Sequence, residues 1–279
     1  MARTPHRSAL AALVLVPALL LAGCGSDSKS SSSSGATTTT TATGGLHAPA
    51  GLVSGGTLTA CSDTPYEPFE FKDAAGKDTG YDIDLLRAMA DKAGLKLTVK
   101  DLPFDGILGS LAAGDCDVVA SAVTITAERA KQVDFSDPYF DADQSLLVKA
   151  DQASTLKDLA SLVGKKIGVQ SGTTGETYAK AHATGSTIKG YEDADGLFTA
   201  IEAGDIAAIL QDLPVNAYRA TKDKTLKVVE TYKTGEQYGY AIAKDKPDTL
   251  AFVNAGLKAL KADGTFDATY KKYFGGAGS

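Results

Sequence analysis

The chain of 279 residues carries 28 Lys and Arg against 34 Asp and Glu, a formal charge of −6, and the balance is 26 against 34 once residues 1–23, with Arg3 and Arg7 and no acid, are set aside. Nucleic-acid binding takes clustered Lys and Arg, so an acidic chain of this kind argues against it. The three histidines are His6, His47 and His182, scattered over a leader, a linker and a predicted helix; they argue against a Ser-His-Asp or histidine-metal site, and no zinc spacing, P-loop or dinucleotide fingerprint appears.

Arg3, His6 and Arg7 open a leader whose apolar run, residues 9–21, is broken once by Pro17. That run falls short of the roughly 20 residues a bilayer span needs and has the form of a secretory signal. It ends in Leu21-Ala22-Gly23-Cys24, which resembles the lipobox of bacterial lipoproteins. The resemblance implies cleavage before Cys24, acylation of its sulfur, and anchoring on the outer face of the cell membrane through acyl chains, each buried CH₂ adding roughly 0.8 kcal/mol. The alternative is an ordinary secreted protein with a chance cysteine at its cleavage site. Residues 24–54 are rich in Ser, Thr and Gly, with serine at 30–34 and threonine at 37–41. A segment with so little to bury is expected to be disordered, a tether of roughly 30 Å reach.

From Gly56 onward β-branched runs alternate with amphipathic helical patterns. The reading is strand 57–62; helix 81–94, with Ile83, Leu86, Ala90 and Ala93 on one face; strand 95–102; helix 104–114, closed by Gly114; and buried strand 117–121. A second block follows: helix 156–163, strand 166–171, helix 174–183, strand 187–191, helix 194–203 and strand 206–211. A helix from Asp248, with Leu250, Val253, Leu257 and Leu260 in register, and a short one over 266–274 complete the chain. This alternation predicts an α/β protein with largely parallel sheets. Two similar blocks over about 225 residues suggest two lobes, residues 55–142 with 239–279 and residues 143–238, joined where the runs 145–148 and 238–243 cross. Cys61 and Cys116 invite a disulfide outside the cytoplasm. Their placement late in one strand and at the start of its neighbour argues against one, since a bridge needs Cα atoms within about 7 Å.

Asp63-Thr64-Pro65-Tyr66-Glu67-Pro68-Phe69-Glu70, Gly80-Tyr81-Asp82-Ile83-Asp84-Leu85 with Met89-Ala90, and Thr124-Ile125-Thr126-Ala127-Glu128-Arg129 followed by Val133-Asp134-Phe135-Ser136-Asp137-Pro138-Tyr139 are motifs in series. Gly168-Val169-Gln170-Ser171-Gly172-Thr173-Thr174-Gly175-Glu176, Gln211-Asp212, Ala262-Asp263-Gly264-Thr265 and Lys272-Tyr273-Phe274 continue them. Together, over residues 56–275, they resemble the polar amino-acid binding proteins of ABC importers, family 3 of the extracellular solute-binding proteins. The resemblance implies the two-lobed type II periplasmic-binding-protein fold, each lobe a mixed sheet flanked by helices and joined to the other by two hinge strands. It further implies a monomer without cofactor or metal that closes on a free amino acid and presents it to permease subunits in the membrane.

A free amino acid presents an ammonium, a carboxylate and a side chain, and each charge taken out of water needs its own partner. The planar fork of Arg129 matches a carboxylate, and the resemblance places the family's carboxylate-binding arginine here; a surface arginine paired with Glu128 is the bland alternative. Thr174 opens a predicted helix whose N–H groups suit an anion, its hydroxyl serving as a cap in the alternative reading. Ser121 and Thr124 match positions that contact the α-ammonium or carboxylate, and Ala122 contributes backbone only. Asp212 follows a strand and is expected on the α-ammonium, or else caps the next helix.

By the same resemblance Asp63 reaches the ligand side chain, Tyr66 and Phe104 flank it, and Gln170 stands where some glutamine binders carry lysine. A carboxylate between aromatic faces suits a cation, which favours arginine, lysine or ornithine, with glutamine next. Core packing is the alternative for Tyr66 and Phe104. Two other classes compete: a cyclohexadienyl-type dehydratase on the same scaffold, with Glu70 or Glu176 as acid, although Glu176 more readily supports its helix N-terminus; and a ligand sensor, for which the chain has no downstream kinase or membrane span.

Overall fold

A computed structural model describes residues 45–275. The leader, Cys24 and the tether up to residue 44 lie outside the described residues. In chain order the elements are β1 (Thr57–Ser62), β2 (Phe71–Lys72), β3 (Asp78–Thr79), α1 (Tyr81–Lys92), β4 (Lys96–Asp101), α2 (Gly109–Ala113), β5 (Val118–Val119), β6 (Val133–Phe135) and β7 (Phe140–Lys149). There follow β8 (Lys166–Gln170), α3 (Thr174–His182), β9 (Thr187–Tyr191), α4 (Ala194–Ala203), β10 (Ala208–Asp212), α5 (Leu213–Lys222), β11 (Leu226–Tyr238), β12 (Ala241–Ala243), α6 (Pro247–Ala262) and α7 (Thr265–Phe274).

The strands form two five-stranded mixed sheets, ordered β4-β1-β5-β12-β6 and β11-β7-β10-β8-β9. In the first, β1 runs parallel to β4 and β5, and β12 runs antiparallel to β5 and β6. In the second, β8 runs parallel to β9 and β10, while β7 runs antiparallel to β10 and β11. The chain passes between the sheets twice, over residues 136–139 and 239–240, and the two passages lie side by side: the Tyr139 N–H donates to Tyr238 O and the Ser136 N–H to Tyr240 O. The run 145–148 is not itself a crossing. It pairs with both β10 and β11 inside the second sheet, because an apolar run marks a strand covered on both faces, whereas the crossing residues include Asp137 and Pro138.

The helices bury the faces expected of them. Ile83, Leu86, Met89 and Ala90 of α1 are inaccessible, and α6 meets α1 at Gly256, where a Cβ would fall 2.7 Å from Met89 Cγ. Gly80, at φ 123°, admits the start of α1 to the Phe69 loop, and a Cβ there would lie 2.0 Å from Phe69 O. Asp82 is buried beneath, taking the Ala122 N–H at 2.8 Å and the Tyr139 hydroxyl at 2.6 Å.

Three expectations change. The helix over 104–114 shrinks to α2, since Gly106 at φ 86° turns the preceding residues. The helix over 156–163 is a 3₁₀ turn at Ala160–Leu162. There the Ser161 hydroxyl accepts the Lys157 N–H at 3.0 Å and Asp158 Oδ1 accepts the Ser161 N–H at 2.8 Å, side-chain bonds that compete with a helix. Cys61 and Cys116 are disulfide-bonded, with Cα atoms 5.8 Å apart. The offset that argued against the bridge assumed a strand at Cys116, but β5 begins at Val118 and the chain reaches it through a left-handed turn at Gly114.

Residues 45–54, which composition assigns to the linker, are held on the first sheet. Leu46 and Leu52 pack on its core, Asp117 Oδ1 accepts the Val53 N–H at 2.7 Å, and Lys246 donates to Gly51 O at 3.0 Å. The apolar residues that restart here supply the burial the hydroxyl-rich stretch lacks. Among the described residues no helix is long and apolar enough to cross a membrane.

Candidate functional site

The sheets direct strand ends at one another, and a narrow cavity lies between them. Asp63 follows β1, Ser121, Ala122 and Thr124 follow β5, Gln170 ends β8, Thr174 opens α3 and Asp212 ends β10. This is the carboxyl-end placement where α/β sheets hold ligands. All ten residues singled out in the sequence, Asp63, Tyr66, Phe104, Ser121, Ala122, Thr124, Arg129, Gln170, Thr174 and Asp212, line this one cavity, joined by Thr173.

Arg129 sits in a 3₁₀ turn, with NH1 donating to Thr124 O at 2.8 Å and NH2 to Gly172 O at 3.1 Å. Its guanidinium lies 5.2 Å from the centre of the Phe104 ring. Glu128 pairs with Lys131 instead, and Arg129 makes no ion pair among the described residues. Burial lowers its pKa, opposed by the Asp212 and Glu236 carboxylates. A cation so fixed, with two carbonyls and no carboxylate, is suited to an incoming anion.

Thr173 rather than Thr174 caps α3, accepting the Glu176 N–H at 3.1 Å. Glu176 takes the Gly172 N–H at 2.9 Å and pairs with Lys180 at 2.7 Å, both structural contacts. Asp212 stands at the cap position of α5 without capping it. Its Oδ2 accepts the hydroxyls of Tyr66, at 3.1 Å, and Tyr238, and its Oδ1 accepts the Gln144 amide at 2.5 Å. Burial and the nearby Glu236 push the Asp212 carboxyl up from 3.8 to about 6, against the lowering effect of these three bonds.

At the other end the Asp63 N–H donates to Ser121 Oγ at 3.0 Å and the Gln170 amide donates to Asp63 Oδ2 at 2.5 Å. Burial pushes the Asp63 carboxyl up to about 6; the Gln170 bond opposes this, and Asp101, Asp193 and Glu192 add to it. The neighbouring charges that act most on Asp63 are all carboxylates. Ser121 Oγ also donates to Glu70 Oε1 at 2.9 Å, and Glu70 is inaccessible, behind Ser121 rather than on the cavity wall. Ala122 takes φ 45°, a conformation disfavoured for a residue with a Cβ; its N–H is held by Asp82.

Gln144, Glu236, Tyr238 and Thr173 were missed in the sequence. Gln144 faces Asp212 across the β7–β10 pair, and Glu236 and Tyr238 lie near the end of β11. Thr173 lies inside the motif over 168–176 beside Thr174, whereas Gln144, Glu236 and Tyr238 belong to no local motif and reach the site only through strand pairing.

The family model described as bacterial extracellular solute-binding proteins, family 3, matches residues 58–276. The L-cystine-binding protein TcyJ of Escherichia coli K12 is 34% identical over 222 residues, covering 79% of this chain and 83% of that protein. The crystal structure of the ancestral amino acid-binding protein AncCDT-1, a precursor of cyclohexadienyl dehydratase, is 42% identical with a TM-score of 0.74, over 78% of this chain and 96% of that one. An ancestral arginine-binding protein bound to arginine is 40% identical with a TM-score of 0.74, over 78% of this chain and 98% of that one.

Proposed function

The chain belongs to the bacterial extracellular solute-binding proteins of family 3, and from that premise we propose that it is the substrate-binding protein of an ABC importer for a free amino acid with a basic side chain, arginine first. The α-carboxylate is held by Arg129 and the N-terminus of α3, and the α-ammonium by Asp212 with Thr124 and Ser121. The side chain extends past Tyr66 and Phe104 to Asp63 and Gln170. The observation that carries the choice of side chain is the field at Asp63, a buried carboxylate that Asp101, Asp193 and Glu192 crowd with further negative charge. A guanidinium or alkyl-ammonium is drawn to that end, and burying it there relieves the crowded carboxylates. Cystine would bring a net-neutral ammonium and carboxylate pair to the same place, and glutamine an uncharged amide.

The two lobes, residues 55–142 with 239–279 and residues 143–238, close about the paired passages as a hinge. Anchoring through Cys24 holds the monomer beside permease subunits, and C24A is expected to free it from membranes. Binding rather than catalysis is the better reading, because Glu70, which could serve a dehydratase as acid, is walled off from the cavity by Ser121.

The test is thermal unfolding of purified protein, refolded to remove carried ligand, with each amino acid in turn. A ligand at 100 times its Kd stabilises by about 2.7 kcal/mol. Shifts with arginine, lysine or ornithine are expected. A shift with cystine or glutamine alone would overturn the account of Asp63, and none with any amino acid would overturn the function.

A further inference from the structure

Asp212 has its oxygens engaged by three donors, Tyr66, Tyr238 and Gln144. A second carboxylate stands beside it. Glu236 Oε2 accepts the second N–H of Gln144 at 3.0 Å, the Thr174 hydroxyl at 2.8 Å and the Thr124 hydroxyl at 3.3 Å. Gln144 thus bridges the two carboxylates, and the threonines are contributed from opposite sides of the cavity, Thr124 after β5 and Thr174 at the start of α3.

A hydroxyl has one proton and two lone pairs. A carboxylate is an acceptor only, so Thr174, at 2.8 Å, spends its proton on Glu236, and Thr124 spends its own on Glu236 at 3.3 Å or on the Thr174 hydroxyl at 3.4 Å, which also accepts the Gln144 amide at 3.4 Å. Thr124 and Thr174 are then left to present lone pairs to the cavity, and lone pairs accept from an ammonium and repel a carboxylate. Thr174 can still serve the carboxylate through its backbone N–H, and Arg129 serves it directly.

We infer that Glu236 is a positioning residue for the α-ammonium: by taking the proton of Thr174, and that of Thr124 directly or through Thr174, it turns their hydroxyls into acceptors and makes this end of the cavity select an amino acid over the same molecule without its amino group. The inference rests on the amino-acid reading above. Glu236 lies two residues before Tyr238, where β11 leads into the passage between sheets, so this selection is set from the hinge strand itself.

The experiment compares wild type, Glu236→Gln and Glu236→Asp, as full-length protein, in calorimetric titrations with L-arginine and with 5-guanidinopentanoate, which is arginine lacking the α-amino group. Glu236→Gln is expected to weaken L-arginine by about 10- to 100-fold, the range of hydrogen bonds involving a charged group, and the deaminated probe by less than about threefold. Glu236→Asp, which keeps the charge, is expected to retain more arginine affinity than Glu236→Gln. Equal losses for both probes, or no loss for arginine, would overturn the inference.

A readout without ligand separates this failure from failure of the proposed function. Glu236 helps push the Asp212 carboxyl up to about 6, so carbon-detected NMR titration should find that carboxyl lower in Glu236→Gln; an unchanged value would overturn the coupling. If wild type binds no amino acid while Asp212 responds, the function fails and the carboxylate pair stands.

Discussion

Replacing Asp63 by Asn should make the empty protein more stable and the binding of arginine much weaker. The carboxyl is buried and pushed from 3.8 to about 6 by that burial and by Asp101, Asp193 and Glu192. Charging it in the fold therefore costs up to about 3 kcal/mol. The folded value lies above the unfolded one, so the native state holds the extra proton between about pH 4 and 6. Stability falls as pH rises through that window, and the cost is complete above pH 6 and absent below pH 4.

Asparagine keeps the shape and removes the charge, so at pH 7.5 Asp63→Asn should gain up to about 3 kcal/mol. That corresponds to roughly 6–12 °C in Tm for a domain of this size. The gain should vanish at pH 4. Removing one member of a buried ion pair costs about 3–5 kcal/mol, so arginine affinity should fall at least about 100-fold. Glutamine, which loses at most part of a hydrogen bond, should fall by about tenfold or less. Differential scanning calorimetry at the two pH values and titration with both amino acids supply the readings. Coincident melting at pH 7.5, or equal losses for arginine and glutamine, would refute the reasoning.

Arg129→Lys replaces a fork that reaches Thr124 O and Gly172 O together with a point charge; titration should show a loss of about 100-fold that is the same for every amino acid bound, since all share the α-carboxylate. Gly80→Ala forces a Cβ to within 2.0 Å of Phe69 O at φ 123°, so urea unfolding should show a loss of at least about 3 kcal/mol or no folded protein. Removing the Cys61–Cys116 bridge, whose cysteines are 55 residues apart, as the double serine variant should cost about 2–4 kcal/mol in urea, whereas reducing agent should leave that variant's melting unchanged.

What is local could be read from the residues alone. Strand 57–62, strand 187–191 and helix 194–203 appear with the limits their patterns predict, because hydrophobic period, caps and glycine stops act over a few residues. The ten cavity residues were legible chiefly through the family resemblance; for Arg129, Thr174 and Asp212 the residue chemistry and the place near a strand end or helix start pointed the same way. Features that depend on partners far away in sequence emerge only in the folded chain. Whether 145–148 crosses between sheets or lies within one was settled by its pairing with β10 and β11. The disulfide was settled by a turn at Gly114, and the clasp on residues 45–54 by Asp117, which lies 64 residues beyond Val53. Gln144 and Glu236 reach Asp212 from two other strands, through a β11 register twice shifted against β7. No local pattern carries that register, since side-chain direction in a sheet reverses with each residue of slip.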